Sequence, residues 1–218
     1  FGAFVALASW LPNYYVSVYD LSLEQAGMLA ALYALPASVF RALGGWMSDR
    51  IGARAVMYWT YGGSLLCLFV LSYPQTRYVI QGIDGPIEFA FGIPLALFAL
   101  ITVVLGFVMS LGKAAVYKHI PVYYPDHVGS VGGLVGMIGG LGGFFLPIIF
   151  GVLNDLLGIW TSCFMLLFLL VLASLLWMHG AIVRMERRRY PERGEDESAR
   201  YLPEIQLDYG REGNAAKS

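Results

Sequence analysis

The sequence predicts an all-α, polytopic membrane protein with six spanning helices. Three observations lead there. Of its 218 residues, 58% are hydrophobic and 13% charged, with a mean hydropathy of +0.64, whereas soluble domains carry about 25% charged residues. The charge is segregated, with much of it after Val183. Six segments also reach or approach the roughly 20 apolar residues that a helix needs to cross the hydrocarbon core.

The candidate spans are residues 1–18, 26–48, 56–73, 91–117, 128–153 and 159–183. Each carries Leu, Ala, Phe and Gly around its whole circumference, unlike a soluble amphipathic helix. No ten-residue alternation argues for a transmembrane barrel. The first span starts at Phe1 inside an apolar run, with no initiator Met and no n-region. It is therefore not a signal peptide, and the chain is expected to be a piece of a longer protein. The stretch SYPQTRYVIQGIDGPIEFAFG between the third and fourth spans holds Gly82, Gly85 and Pro86. It is expected to fold over the outer mouth. Residues 184–218 are polar, with Pro191 and Pro203, and are expected to form a disordered cytoplasmic tail. Its basic start, MERRRY, suits a stop-transfer flank or a contact to anionic headgroups.

The connections set the orientation. Arg50 and Arg54 follow the second span, Lys118 and His119 the fourth, and Arg184, Arg187, Arg188 and Arg189 the sixth. These places fall on one side, which the positive-inside rule makes cytoplasmic. The other connections hold Asp20, Glu24, Arg77, Asp84, Glu88 and Asp155. A net charge of −1 argues against a nucleic-acid surface. Cys67 and Cys163 lie far apart in apolar runs, without zinc-like spacing, and read as small buried hydrophobes. No metal or cofactor set is expected. No nucleotide-binding loop or catalytic triad spacing appears, so the chain is not expected to be an enzyme.

Arg41 stands in the middle of the second span, in LYALPASVFRALGGWMSDRIGAR. A central arginine costs roughly 2.5–3.5 kcal/mol on insertion scales. It is tolerated facing a polar cavity, or snorkelling about 10 Å to the cytoplasm. Ala34, Ser38, Arg41, Gly45 and Ser48 share a small or polar helical stripe. No acidic residue in the other spans is placed to pair with Arg41.

The cytoplasmic end of that span carries a second pattern, GGWMSDRIGAR. Gly45 allows a neighbouring helix to approach. Asp49 can accept from a helix start or an arginine. Arg50 and Arg54 suit headgroup anchors, and Gly52 a tight turn. Together these five residues make a latch that can form in one state and break in another. The pattern resembles the cytoplasmic-loop signature of the major facilitator superfamily, which falls between the second and third helix of each six-helix half. The resemblance implies that the chain is the C-terminal half of a twelve-helix transporter, built from nested inverted repeats.

The fifth span is dense in glycine, in GSVGGLVGMIGGLGGFFLPIIFG. Gly132, Gly136, Gly139, Gly140 and Gly143 fall on one face, where another helix or an ion could lie against the backbone. Each weakens the helix by up to about 1 kcal/mol relative to Ala. GLVGMIGGLGGFFLP resembles the signature segment of the nitrate/nitrite porter family, as GKAAVYKHIPVYYPDHVG resembles bacterial members. The resemblance implies that nitrate or nitrite is held between two arginines, one from the second helix of each half. Arg41 matches the second of these, and the partner arginine would belong to the N-terminal half. A guanidinium pairs bidentately with a planar oxyanion.

Phe1 stands where the family places aromatics lining the anion site. Lys113, in the fourth span, either snorkels or adds a second positive charge to the anion path, where it could bear on proton coupling. Transport by symport with protons or by nitrate/nitrite antiport, in a bacterial inner membrane and coupled functionally to nitrate reductase, follows from the resemblance. A facilitator for another small anion, such as an organic carboxylate, is the first alternative. A non-transporting membrane subunit of a respiratory complex is the second, though His119, His127 and His179 lie at span ends or loops rather than in haem-binding pairs.

Overall fold

The computed structural model describes residues 1–83 and 85–189. Asp84 and residues 190–218, which carry part of the outer-loop charge and most of the expected disordered tail, lie outside the described residues. The helices are α1 (Gly2–Tyr19), α2 (Leu23–Val39), α3 (Arg41–Ile51), α4 (Ala53–Leu71), α5 (Leu95–Tyr123), α6 (Val128–Leu157) and α7 (Ser162–Arg189). A hairpin of β1 (Thr76–Gly82) and β2 (Gly85–Phe91) joins α4 to α5.

Five stretches are long and apolar enough to cross a membrane, among the described residues: Leu23–Ile51, Ala53–Leu71, Leu95–Tyr123, Pro125–Leu157 and Ser162–Met185. Helix α1 is the sixth expected span. At 18 residues it is about 27 Å long. Its Pro12, Asn13, Tyr14 and Tyr15 dilute the apolar character that the other five have.

Local chemistry explains the boundaries. Ser22 accepts from the Gln25 N–H and the Gln25 side chain accepts from the Ser22 N–H. This reciprocal cap starts α2 at Leu23, three residues ahead of the expected 26. Gly52, with φ 86° and ψ 138°, is the single residue between α3 and α4. A side chain there would meet the left-handed penalty, so the tight turn needs glycine.

The expected second span is one continuous helix, but the chain folds it as two, α2 and α3, meeting at Phe40. Pro36 lacks the N–H of a regular turn and crowds the preceding carbonyl. Ser38 Oγ donates to the Ala34 carbonyl at 2.9 Å, a bond that bends helices. The axis still carries through, because the Phe40 N–H reaches the Pro36 carbonyl and the Gly44 N–H the Phe40 carbonyl.

Helix α5 is the hub, packed against α2, α3 and α4, while α1 lies between α2 and α6 and α4 backs onto α7. The main core gathers Tyr14, Tyr15, Tyr33, Phe98, Phe150 and Phe164 with leucines of four helices. Tyr15 shares a 3.1 Å hydrogen bond with Thr102, which satisfies two buried hydroxyls. Cys67 and Cys163 are free and buried.

The connecting loop is ordered as a β-hairpin. Every residue of β2 is exposed. Its base is fixed by a Tyr73–Tyr78 hydroxyl pair and by Tyr73 packing edge-on to Phe91. That hydrogen bond holds the Tyr78 phenol above its ordinary range.

Candidate functional site

The interruption at Phe40 puts Arg41 on the first turn of α3. A helix start and a guanidinium both favour negative charge there. Arg41 is half-buried, and its Nε is shielded from solvent without a hydrogen-bond partner. Among the described residues no carboxylate lies within ion-pair distance of it.

Close packing on either side fixes its height in the bundle. A Cβ on Gly44 would stand 2.8 Å from the Leu111 Cα, and one on Gly106 2.7 Å from the Tyr33 carbonyl. Backbone therefore meets backbone just below and above Arg41. The close approach expected at Gly45 falls on Gly44 instead; Gly45 meets nothing within 4 Å. The buried line of this span is Ala30, Tyr33, Ala37, Gly44 and Ser48, with Arg41 at its edge. The expected small stripe of Ala34, Ser38 and Gly45 is turned away from α5.

Lys113 is the second intramembrane cation. Its Nζ lies 3.4 Å from the centre of the Phe1 ring, within cation–π range. The Phe1 ring presses on Gly139, where a Cβ would collide with it. Thus Lys113, Phe1 and Gly139 are brought together from α5, the start of α1 and α6, and Arg41, on α3, is not in this cluster. Lys113, Phe1 and Gly139 line a cavity of about 550 Å³ with Tyr117, Thr60 and Ser64. The hydroxyls of Thr60 and Ser64 are buried there without partners. Sequence reasoning missed both, because small hydroxyls in an apolar span carry no pattern.

The glycines of α6 divide. Gly143 faces Val5, Gly142 faces the Gly2 backbone, Gly136 faces the Tyr117 hydroxyl, and Gly132 lies near Ile120. Gly140, expected on the same face, meets nothing within 4 Å. It sits 100° round the helix from Gly139, enough to miss α1.

At the other end of α3, Asp49 pairs with Lys118 of α5, not with an arginine or a helix start. Arg50 lies over the Trp46 ring at 4.7 Å. Arg54 does not reach outward as a headgroup anchor. It is 7% exposed and donates to the Tyr123 hydroxyl at 3.4 Å. Tyr123 ends α5, so Arg54 and Lys118 both tie α5 to the turn around Gly52.

Comparison with known proteins identifies the family. A family model described as "Major Facilitator Superfamily" matches residues 1–209. A "Probable nitrate/nitrite antiporter NarK1" of Thermus thermophilus is 49% identical over 188 residues, 85% of this chain and 42% of that protein. A "Nitrite extrusion protein" of Bacillus subtilis is 30% identical over 182 residues, 82% of this chain and 42% of that protein. A "Probable nitrate/nitrite transporter NarK2" of Mycobacterium tuberculosis is 34% identical over 156 residues, 71% of this chain and 35% of that protein. The chain spans less than half the length of these relatives. No solved structure matches.

Proposed function

The chain belongs to the nitrate/nitrite porter family of the major facilitator superfamily, and from that premise we propose that it is the C-terminal six-helix half of a nitrate/nitrite transporter. It is an integral membrane protein, and we place it in a bacterial cytoplasmic membrane with its C-terminus cytoplasmic. The basic residues at the α3, α5 and α7 ends support that orientation.

Arg41 carries the reading. Its Nε is buried and unpartnered, and leaving a charged donor so costs more than a hydrogen bond returns. A planar oxyanion arriving between the halves would accept from Nε and one Nη, matching the guanidinium fork. Lys113 adds a second positive charge, so the anion would enter a field that compensates its lost hydration. Phe1, held on Gly139, keeps the Lys113 ammonium over its ring.

Alternating access would use the α1–α6 contact, shifting against the block of α2, α3, α4 and α5. Asp49–Lys118, Gly45, Arg50, Gly52 and Arg54 would hold one state at the cytoplasmic face. The glycine side of α6, Gly136, Gly139 and Gly143, would let that helix slide against α1. The N-terminal half supplies the second arginine in this reading. Transport would run on a proton gradient or by nitrate/nitrite exchange, beside a nitrate reductase that uses or makes the anion.

The test is nitrate uptake into proteoliposomes holding the twelve-helix protein, wild type beside Arg41→Lys. Lysine keeps the charge and loses the fork. Uptake by wild type with loss of at least about tenfold in the variant, about 1.4 kcal/mol of binding, supports the anion-ligand role. Equal uptake removes Arg41 from the site. No uptake by wild type under a pH gradient or with internal nitrite overturns the nitrate reading in favour of another small anion.

A further inference from the structure

The hairpin between α4 and α5 is absorbed by neither the anion site nor the latch. Its register sorts the side chains cleanly. Tyr78 pairs with Phe89, Ile80 with Ile87, and Thr76 with Phe91. These pairs stand on one face, because side chains alternate along a strand. The other face pairs Arg77 with Ala90, Val79 with Glu88 and Gln81 with Pro86. One face is thus aromatic and aliphatic apart from Thr76, while the other holds all three long polar side chains, Arg77, Gln81 and Glu88. The Tyr78 and Phe89 rings stack across the strands at 5.3 Å, which makes the apolar face a continuous surface. Nothing in the described chain covers it: Ile80 is 53% exposed, Ile87 59%, Phe89 47% and Phe91 54%. An isolated hairpin with such a face is marginal in water.

What lies next to that face names its occupant. Trp59, Leu66, Phe69 and Val70 form an exposed apolar side of α4, a helix that crosses the membrane. That side lies opposite Met57, Thr60, Tyr61 and Ser64, the α4 residues on the cavity where the second half would meet this one, and α5, α3 and α7 occupy the others, so it faces lipid. A groove of about 750 Å³ runs from Phe69 and Val70 past Tyr73 to Tyr78 and Phe91 of the hairpin. The hairpin's apolar face therefore continues the lipid-facing surface of α4 without a break. Tyrosines at the turn-off, Tyr73 and Tyr78, are the residue type enriched at headgroup depth.

We propose that this hairpin lies on the bilayer at that end of the bundle, with its apolar face in the headgroup–acyl boundary and Arg77, Gln81 and Glu88 toward water. The occupant is the lipid surface itself, and the hairpin acts as a lateral float that fixes the depth and tilt of α4 and α5. This inference does not depend on which anion is carried.

Site-directed spin labelling tests it. Cys67 and Cys163 are first replaced by alanine in the twelve-helix protein. Single cysteines then replace Ile80, Phe89, Gln81 or Glu88, and the labelled proteins enter bilayers of phosphatidylcholine and phosphatidylglycerol. Labels at positions 80 and 89 should collide more with oxygen than with a water-soluble nickel chelate, and labels at 81 and 88 the reverse. Four labels equally open to the chelate would put the hairpin in water and overturn the proposal. Labels at 80 and 89 shielded from both reagents would mean that protein covers the face, and would overturn it equally. Should a cysteine at 80 or 89 prevent folding, labels at Ile87 and Phe91 on the same face take their place, with the same two outcomes deciding.

Discussion

Helices α5 and α6 are near twins in length and apolarity, 29 and 30 residues, yet they are packed in opposite ways. Helix α5 buries Phe98, Thr102, Leu105, Ser110, Leu111 and Ala115 against its neighbours. Helix α6 buries only Phe150, while Met137, Leu141, Phe144 and Ile148 stand exposed. Both rely on glycine. On the α5 side the approach is backbone to backbone, at Gly44 and Leu111. On the α6 side much of it is backbone to side chain, at Gly139 and Phe1 or Gly143 and Val5. Backbone cannot yield without moving a helix, whereas a side chain can turn. The α2–α3–α5–α4 block is thus the firmer frame, and the α1–α6 contact, backbone to backbone only where Gly2 meets Gly139 and Gly142, is the seam with more room to shift.

The largest expected effect breaks the firmer frame. Gly44→Val would drive its branches into the Leu111 backbone, costing about 1–3 kcal/mol or more by overpacking. The readout is the melting temperature of detergent-solubilised protein, followed by size exclusion. Gly45→Val is the matched control, since its Cβ meets nothing within 4 Å. It should stay within about 0.5 kcal/mol beyond the helix-propensity difference. If the two fall together, close packing is not what Gly44 provides.

The next test separates the two sides of α6. Gly143→Val must displace Val5, whose Cγ1 would lie 2.7 Å from the new Cβ, at a cost near 1 kcal/mol for a movable side chain. Gly140→Val points into open space and should leave stability unchanged. Equal destabilisation would show that the exposed side of α6 is covered in the intact transporter, and would sharpen the contrast into one of two different partners rather than one.

Much of this was readable in the sequence, and the exceptions share a cause. Long apolar runs bounded by charge reveal spans because composition alone decides them. The Asp49 and Gly52 spacing is local and so is legible. The partners of Asp49 and Arg54 are Lys118 and Tyr123, each 69 residues away in the chain, and no local pattern points to them. The hairpin was hidden because its turn residues, Gly82, Gly85 and Pro86, read as a loop. Its alternation, TRYVI against IEFAF, becomes a signal only when the strands are paired. Pro36 stands inside an apolar run long enough to span, which hides whether the helix runs on or breaks there, and the break comes from Pro36 and Ser38 acting on the same turn. Gly44 and Gly45 are adjacent, and only the packing of α5 tells them apart.

The smallest expected effect on stability concerns an ion pair inside the firmer frame, between α3 and α5. The Lys118 and Asp49 side chains are 45% and 55% exposed, so solvent and salt screen them. Asp49→Asn should therefore change unfolding by no more than about 1 kcal/mol, less at high salt. A pair worth so little cannot hold the fold, yet it can bias a transporter, because two access states that differ by about 1 kcal/mol change population about fivefold. The expected outcome is a clear change in nitrate uptake rate or in cysteine accessibility at the cytoplasmic end with a nearly unmoved melting temperature. The reversed pair, Asp49→Lys with Lys118→Asp, should recover much of that rate, since the attraction is restored though each neighbour's charge is now opposite. A reversed pair as impaired as Asp49→Asn would mean that Asp49 acts through something other than Lys118, and the latch would have to be sought at Arg54 and the α5 end instead.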